Sequence, residues 1–215
     1  MYPVKTPWLF RKIYPSFIWK MPGENKDLYL TFDDGPNETA TPFVLSELRK
    51  YNAKATFFCI GKNVQEHPGI YKQVIDEGHK VGNHTQNHLN GWKTNDETYL
   101  QNIEEAAKYI DSNLFRPPYG RITKFQAKLL QSQIHDGESS INKFSFKIIM
   151  WSVLSGDFDT ALSPAKCLEN VLLNAESGAI ILFHDSTKAF ERMRYALPKT
   201  LEYFSERGFQ FKTID

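Results

Sequence analysis

Thr31-Phe32-Asp33-Asp34-Gly35-Pro36 places two adjacent carboxylates where an apolar run stops. Upstream, Leu28, Leu30 and Phe32 alternate with Tyr29 and Thr31, the period of a short strand, and Gly35-Pro36-Asn37 is a turn signal that ends it. The pair therefore stands at the carboxyl end of a strand. Two like charges side by side repel, so the position asks for a cation or a basic group nearby. Gly82-Asn83-His84-Thr85-Gln86-Asn87-His88 offers one. Histidines at i and i+4 face the same way if this piece winds into a helical turn. With one of the carboxylates they make a His/His/Asp set of the kind that holds zinc and leaves a position open for water.

Outward from this stretch, helices and strands alternate. Thr41-Pro42 suits a helix start, and Phe43, Val44, Leu45 and Leu48 give an apolar face as far as Tyr51. A buried strand is expected over 54–60, a helix over 64–77 stopped by Gly78, and a short strand over 80–83. Beyond the histidines the pattern predicts a helix over 96–112, a strand over 114–116 and a helix over 123–133. Residues 135–145 read as an insertion or long loop. Strands over 146–153, 179–183 and 209–213 then alternate with helices over 164–175 and 192–206. About seven strands alternating with helices indicate a parallel sheet with helical crossovers. Asp33/Asp34, His84, Arg116, Asp157 and His184 recur after successive strands. A closed or partly closed barrel gathers such strand ends on one face, whereas an open sheet spreads them out.

Composition sets the frame. A chain of 215 residues, 41% hydrophobic and 24% charged, has the make-up of a soluble globular protein with one sizeable core, and no linker or repeat divides it. A net charge of +1 gives no footprint for nucleic acid, and none is expected as a partner. Cys59 and Cys167 lie in apolar contexts and read as small core residues compatible with a reducing compartment. Residues 1–23 contain prolines at 3, 7, 15 and 22 and no uninterrupted apolar core, so the expected location is cytoplasmic. Trp8, Leu9, Phe10, Ile13, Tyr14, Phe17, Ile18 and Trp19 are expected to pack on the domain. The sharper alternative is a peripheral contact of residues 1–20 with the inner membrane face, aided by Lys5, Arg11, Lys12 and Lys20.

Two further segments complete the constellation. Arg116-Pro117-Pro118-Tyr119-Gly120 is a rigid loop carrying a permanent cation and an aromatic, and Leu182-Phe183-His184-Asp185 ends a strand with an imidazole. Taken in order with Trp151 through Asp157, these segments resemble the polysaccharide deacetylase family, the carbohydrate esterases built on the NodB homology domain. The resemblance spans residues 27–215 as one such domain, with 1–26 as an aromatic-rich segment packed on it. It implies an α/β fold, a distorted, incomplete (β/α) barrel of seven or eight units with its site at the carboxyl ends of the strands. It also implies hydrolytic removal of an N-acetyl or O-acetyl group from a carbohydrate.

By the same resemblance Asp34, His84 and His88 are metal ligands for a divalent ion, zinc foremost, with cobalt or another ion as alternatives. Asp33 is implied as general base and His184 as general acid, with Arg116 orienting Asp33 and Asp157 orienting His184. The Tyr119 backbone N–H would help hold the oxyanion, and Leu182 would meet the acetyl methyl. The fourth motif, 151–159, departs from the family's usual pattern: Leu154 stands where an aspartate is common and Phe158 where a tryptophan is common, and Asp159 is an alternative to Asp157. His67, His79 and His135 match no motif and read as surface or structural. No Gly-x-Ser-x-Gly elbow is present, which disfavours a serine nucleophile. Other readings are a lipid-linked or nucleotide-linked sugar at the inner membrane surface as substrate, a non-peptide C–N bond in a small molecule, or a catalytically silent glycan-binding barrel. The oligomeric state is not legible.

Overall fold

The computed structural model describes residues 2–132 and 145–215. The expected insertion falls almost wholly outside the described residues, as does His135. Within them the chain runs α1 (Trp8–Ile13), β1 (Asp27–Asp33), α2 (Ala40–Lys50), β2 (Ala55–Cys59), α3 (Gly61–Glu66), α4 (Pro68–Asp76), β3 (Lys80–Asn83), α5 (Asp96–Ala107) and β4 (Leu114–Phe115). A short 3-10 turn (Pro118–Gly120) leads to α6 (Lys124–Gln131), β5 (Lys147–Ile148), β6 (Val153–Leu154), α7 (Pro164–Asn174), β7 (Ile180–His184), α8 (Phe190–Ser205) and β8 (Gln210–Phe211). The strands lie in the order β5-β4-β3-β2-β1-β7-β6, and β8 pairs with the start of β1. Every pairing between these strands is parallel. The sheet curls into an incomplete barrel whose edge strands, β5 and β6, do not pair with each other.

Strand alternation sorts the side chains to two sides. Leu28, Leu30 and Phe32 of β1 join Ala55, Phe57 and Cys59 of β2 and Ile181 and Phe183 of β7 in a core packed beneath α2, α4, α7 and α8. Phe32 stacks between Phe57 at 5.1 Å and Phe183 at 6.1 Å. A buried ring of this size contributes about 1.5–3 kcal/mol. The opposite positions, Thr31 and Asp33, Phe58, Leu182 and His184, turn into the barrel. Phe58, Leu114, Ile149, Ile180 and Ile214 fill its lower part. Gly82 makes room there, since a Cβ would lie 2.6 Å from the Phe58 ring.

The segment before β1 engages both edges. Val4 accepts from the Leu154 N–H at 2.8 Å and Thr6 N–H donates to the Ser152 carbonyl at 3.0 Å, with Lys5 bridged antiparallel to Val153. After α1 the chain returns, and Ile18 bridges Ile149 by bonds of 2.9 and 2.8 Å to Ile148 and Met150. Phe17 and Trp19 enter a second core with Tyr99, Ile103, Phe115 and Leu130. Trp8, Leu9, Phe10 and Ile13 instead remain exposed, and α1 buries no residue.

Several elements differ from the sequence reading. The helix expected over 64–77 is two helices meeting at His67, because the residue before Pro68 is pushed away from helical geometry (φ −129, ψ 55). The strand expected over 146–153 is two short pieces, β5 and β6, each at an edge of the curled sheet. The helix expected to continue to 112 ends at Ala107.

Candidate active site

β1 delivers Asp33 and Asp34 to the carboxyl end of the barrel, and Asp33 pairs in register with Phe58 on one side and His184 on the other. Asp33 is buried, and its Oδ1 accepts from Arg116 Nη1 at 2.7 Å. Asp34 leaves the strand at φ 81, which turns its carboxylate from its neighbour's direction toward the histidines. Its carbonyl accepts from Asn63 Nδ2 at 2.6 Å.

The segment 84–88 is not a helical turn. Thr85 (φ 64) and His88 (φ 54) sit in the left-handed region, and the two imidazoles converge by that route rather than by i, i+4 periodicity. Among the described residues, five non-glycine residues have positive φ, and Asp34, Thr85, His88 and Tyr119 (φ 60) all belong to this end of the barrel. Such conformations cost about 1–3 kcal/mol each and persist where the surroundings over-determine them. The Asn83 side chain accepts from the Thr85 N–H at 2.8 Å and donates to the Ile103 carbonyl at 3.0 Å, tying the turn to α5.

His84 Nδ1–H donates to the Arg116 carbonyl at 2.7 Å, which leaves Nε2 as the free lone pair. Burial, with His88 adding to it, pushes the His84 pKa down to about 3, so the ring is neutral in any working buffer. Nε2 of His84 lies 3.8 Å and Nε2 of His88 3.3 Å from Asp34 Oδ1. That oxygen is buried and has no hydrogen-bond partner among the described residues. One donor atom from each residue falls within 4.8 Å of the others. An imidazole pair around an orphaned carboxylate oxygen fits a divalent cation, and these residues would hold it.

Arg116 is buried at the end of β4. Its guanidinium donates to Asp33, to Thr31 Oγ1 at 2.8 Å and to the carbonyls of Ile149 (3.0 Å) and Met150 (2.9 Å), and lies 4.1 Å from the Phe58 ring centre. Burial moves its pKa downward from the ordinary arginine value, with Asp33 opposing.

On the other side His184 Nδ1–H donates to Asp157 Oδ1 at 2.7 Å, and its backbone N–H to Oδ2 at 2.7 Å. Asp159, the alternative partner, instead accepts from the Tyr2 hydroxyl at 2.9 Å. Burial depresses the His184 pKa, but Asp157, with Asp34 and Asp33 behind it, outweighs burial and raises it to about 9. The Phe158 ring leans edge-on against His184 at 5.4 Å and is backed by Tyr2 at 5.0 Å. Tyr119 is exposed with its ring 4.5 Å from that of His88, and Leu182 is buried on β7.

Three supporting residues were not singled out from the sequence. Thr31 relays Arg116 to the Ile181 carbonyl, Asn63 holds the Asp34 carbonyl, and Asp185 accepts from Gly35 N–H at 3.0 Å and from Thr41 Oγ1 at 2.5 Å. Burial, eased by the Thr41 bond and aggravated by Asp34, raises the Asp185 pKa to about 8. Thr31 was discoverable from the alternation that points it inward with Asp33. Asn63 and Asp185 carry no such signal. His79 is structural, its Nδ1 accepting from the Ala55 N–H at 3.2 Å.

A sequence model for the family described as polysaccharide deacetylase matches residues 20–133. A peptidoglycan-N-acetylglucosamine deacetylase of Bacillus cereus is 36% identical over 202 residues, which cover 91% of this chain and 90% of the relative. Among solved structures, a peptidoglycan N-acetylglucosamine deacetylase in complex with 4-naphthalen-1-yl-N-oxidanyl-benzamide superposes with a TM-score of 0.84 at 31% identity, covering 97% of this chain and 95% of its own. The peptidoglycan deacetylase PdaC of Bacillus subtilis gives a TM-score of 0.76 at 26% identity over 90% of each chain.

Proposed function

Because the chain belongs to the polysaccharide deacetylase family and is a carbohydrate deacetylase, we propose that it removes the N-acetyl group from N-acetylglucosamine residues of a peptidoglycan-type glycan. Asp34, His84 and His88 would hold its divalent cation, and two imidazoles with one carboxylate suit zinc. When bound, the cation polarises the acetyl carbonyl and lowers the pKa of a nearby water.

The chain's own groups handle the protons. Arg116 occupies Asp33 Oδ1, so Oδ2, 3.8 Å from His84 Nε2, faces the site and takes the proton of the attacking water. The new C–O bond forms as the carbonyl pair moves onto oxygen, where the Tyr119 backbone N–H assists. Collapse breaks the C–N bond. The leaving nitrogen takes the proton from His184 Nε2, and Asp157 at Nδ1 fixes the ring and stabilises its charged form. Acetate and a free amine result. Leu182 lines the barrel on the same strand face as His184 and accommodates the methyl.

The observation that carries this reading is the partnerless Asp34 Oδ1 between two imidazoles, beside a base and an acid on paired strands. Acetate release from N-acetylglucosamine oligomers and peptidoglycan tests it, with chelated protein before and after adding zinc or cobalt. Metal-restored release from these glycans supports the proposal. Release from small acetylated amides alone overturns the substrate class.

The exposed Trp8, Leu9, Phe10 and Ile13, next to Arg11 and Lys12, favour contact of α1 with an anionic membrane surface. Sedimentation with phosphatidylglycerol vesicles that is lost on replacing Trp8 and Phe10 by Ser supports this contact; equal sedimentation of both proteins removes it.

A further inference from the structure

The loops bearing His88 and Tyr119 continue beyond the ligand set and are laced together there. Gly91 N–H donates to the Arg121 carbonyl at 3.2 Å, and Gln126 Nε2 donates to the Gly91 carbonyl at 3.0 Å. A Cβ on Gly91 would lie 2.6 Å from the Arg121 carbonyl oxygen, so this approach requires glycine. Next along, the Trp92 indole Nε1–H donates to the Ile122 carbonyl at 3.0 Å, and the Trp92 backbone N–H to Asn90 Oδ1 at 3.0 Å. The Arg121 guanidinium lies 5.2 Å from the indole centre. The ring is thus held by its polar edge and its backbone, yet it is 59% exposed.

This arrangement is unlike a casually exposed aromatic. A side chain whose only donor is already bonded within the protein offers a ligand its apolar π-face and nothing else. Arg121 is exposed and makes no ion pair among the described residues, so its charge is available too. Trp92 follows His88 by four residues, so the length of chain holds their backbones within about 14 Å of each other. Tyr119, on His88, precedes Arg121 by two residues and is itself 60% exposed. An exposed path of Tyr119, Arg121 and Trp92 therefore leads away from the ligand set on one side.

We propose that Trp92 and Arg121 form a binding subsite for a neighbouring ring of the saccharide chain, the indole taking its C–H face and the guanidinium an acidic substituent carried by the chain. This rests on the glycan reading above. Carbohydrate C–H bonds meet an aromatic face as weak donors, and a cation beside that face selects chains with carboxylates.

Binding is measured by calorimetry in zinc-loaded Asp33→Asn protein and turnover in the parent, with three probes: a single-ring methyl glycoside of N-acetylglucosamine, its pentamer, and soluble peptidoglycan fragments with free carboxylates. Trp92→Ala is expected to weaken the pentamer about tenfold and leave the single ring within about twofold. Trp92→Phe, which keeps a ring without the indole bond, retains most of the affinity. Arg121→Gln weakens only the carboxylate-bearing fragments and flattens their salt dependence. Equal losses for one ring and five, or no loss, overturn the subsite while leaving the deacetylase reading intact. If the parent neither binds nor deacetylates any of these glycans, the glycan reading fails and the subsite with it.

Discussion

The Asp33 carboxylate and the Arg116 guanidinium meet at 2.7 Å inside the barrel, both withdrawn from solvent. The pair joins β1 to β4 across the barrel interior. Replacing Arg116 by Met leaves a buried carboxylate without its cation, an expected cost of about 3–5 kcal/mol. Lys at 116 keeps the charge but cannot reach Asp33, Thr31, Ile149 and Met150 together. Urea unfolding should rank the native protein above R116K and R116K above R116M. Equal midpoints would show that the pair does not hold the strands.

Asp157→Asn should move the basic limb of the pH–rate profile to lower pH. In the proposed mechanism His184 is protonated to donate, and its pKa of about 9 places that limb on the alkaline side. The same shift acts on stability. The folded value exceeds the unfolded value of about 6.5, so the stabilisation is complete below that pH and is lost as pH rises through about 9. Melting temperatures between pH 6 and pH 10 should therefore fall more in the parent than in D157N. Parallel curves would separate Asp157 from His184.

Chelation should lower stability as well as abolish acetate release. An ion that binds only the folded state at about 100 times its Kd adds about 2.7 kcal/mol. His84→Ala and His88→Ala should each lower the metal-to-protein ratio measured by emission spectroscopy together with activity. An unchanged ratio would place the ion elsewhere.

Gly35→Ala probes the turn that aims Asp34. A Cβ there would meet the Asp185 carboxylate at 2.0 Å, and Asp185 also anchors Gly35 N–H and Thr41. The expected cost is about 1–3 kcal/mol, with weaker zinc binding than in the parent. Retained zinc affinity at reduced stability would limit Asp185 to a packing role.

Much of this was legible in the residues. The alternation through Leu28–Phe32, with Asp33 and Asp34 at its end, located β1 and its place beside the site, because period-2 burial is a local property. The convergence of His84 and His88 was anticipated by the wrong geometry: left-handed backbone at Thr85 and His88 depends on Asn83 and α5, which no window around the histidines contains. The break at His67-Pro68 was written in the chain and outweighed by the apolar pattern on either side. Asp157 and Asp159 look alike in the sequence, but both oxygens of Asp157 meet His184 across 27 residues, while Asp159 meets Tyr2 from the far end of the chain. Long-range partners of this kind leave no local signature.

The pairing of Lys5 with Val153, Ile18 with Ile149 and Lys20 with Ala179 also sets an order of events. On the ribosome residues 5–20 emerge long before the strands they seal, so the two edges of the sheet stay unsealed until those later strands have been made. Contacts so distant in sequence are slow to form and leave the strand edges open to pairing with other chains meanwhile. The nascent protein is therefore exposed to mispairing until the segment before β1 docks.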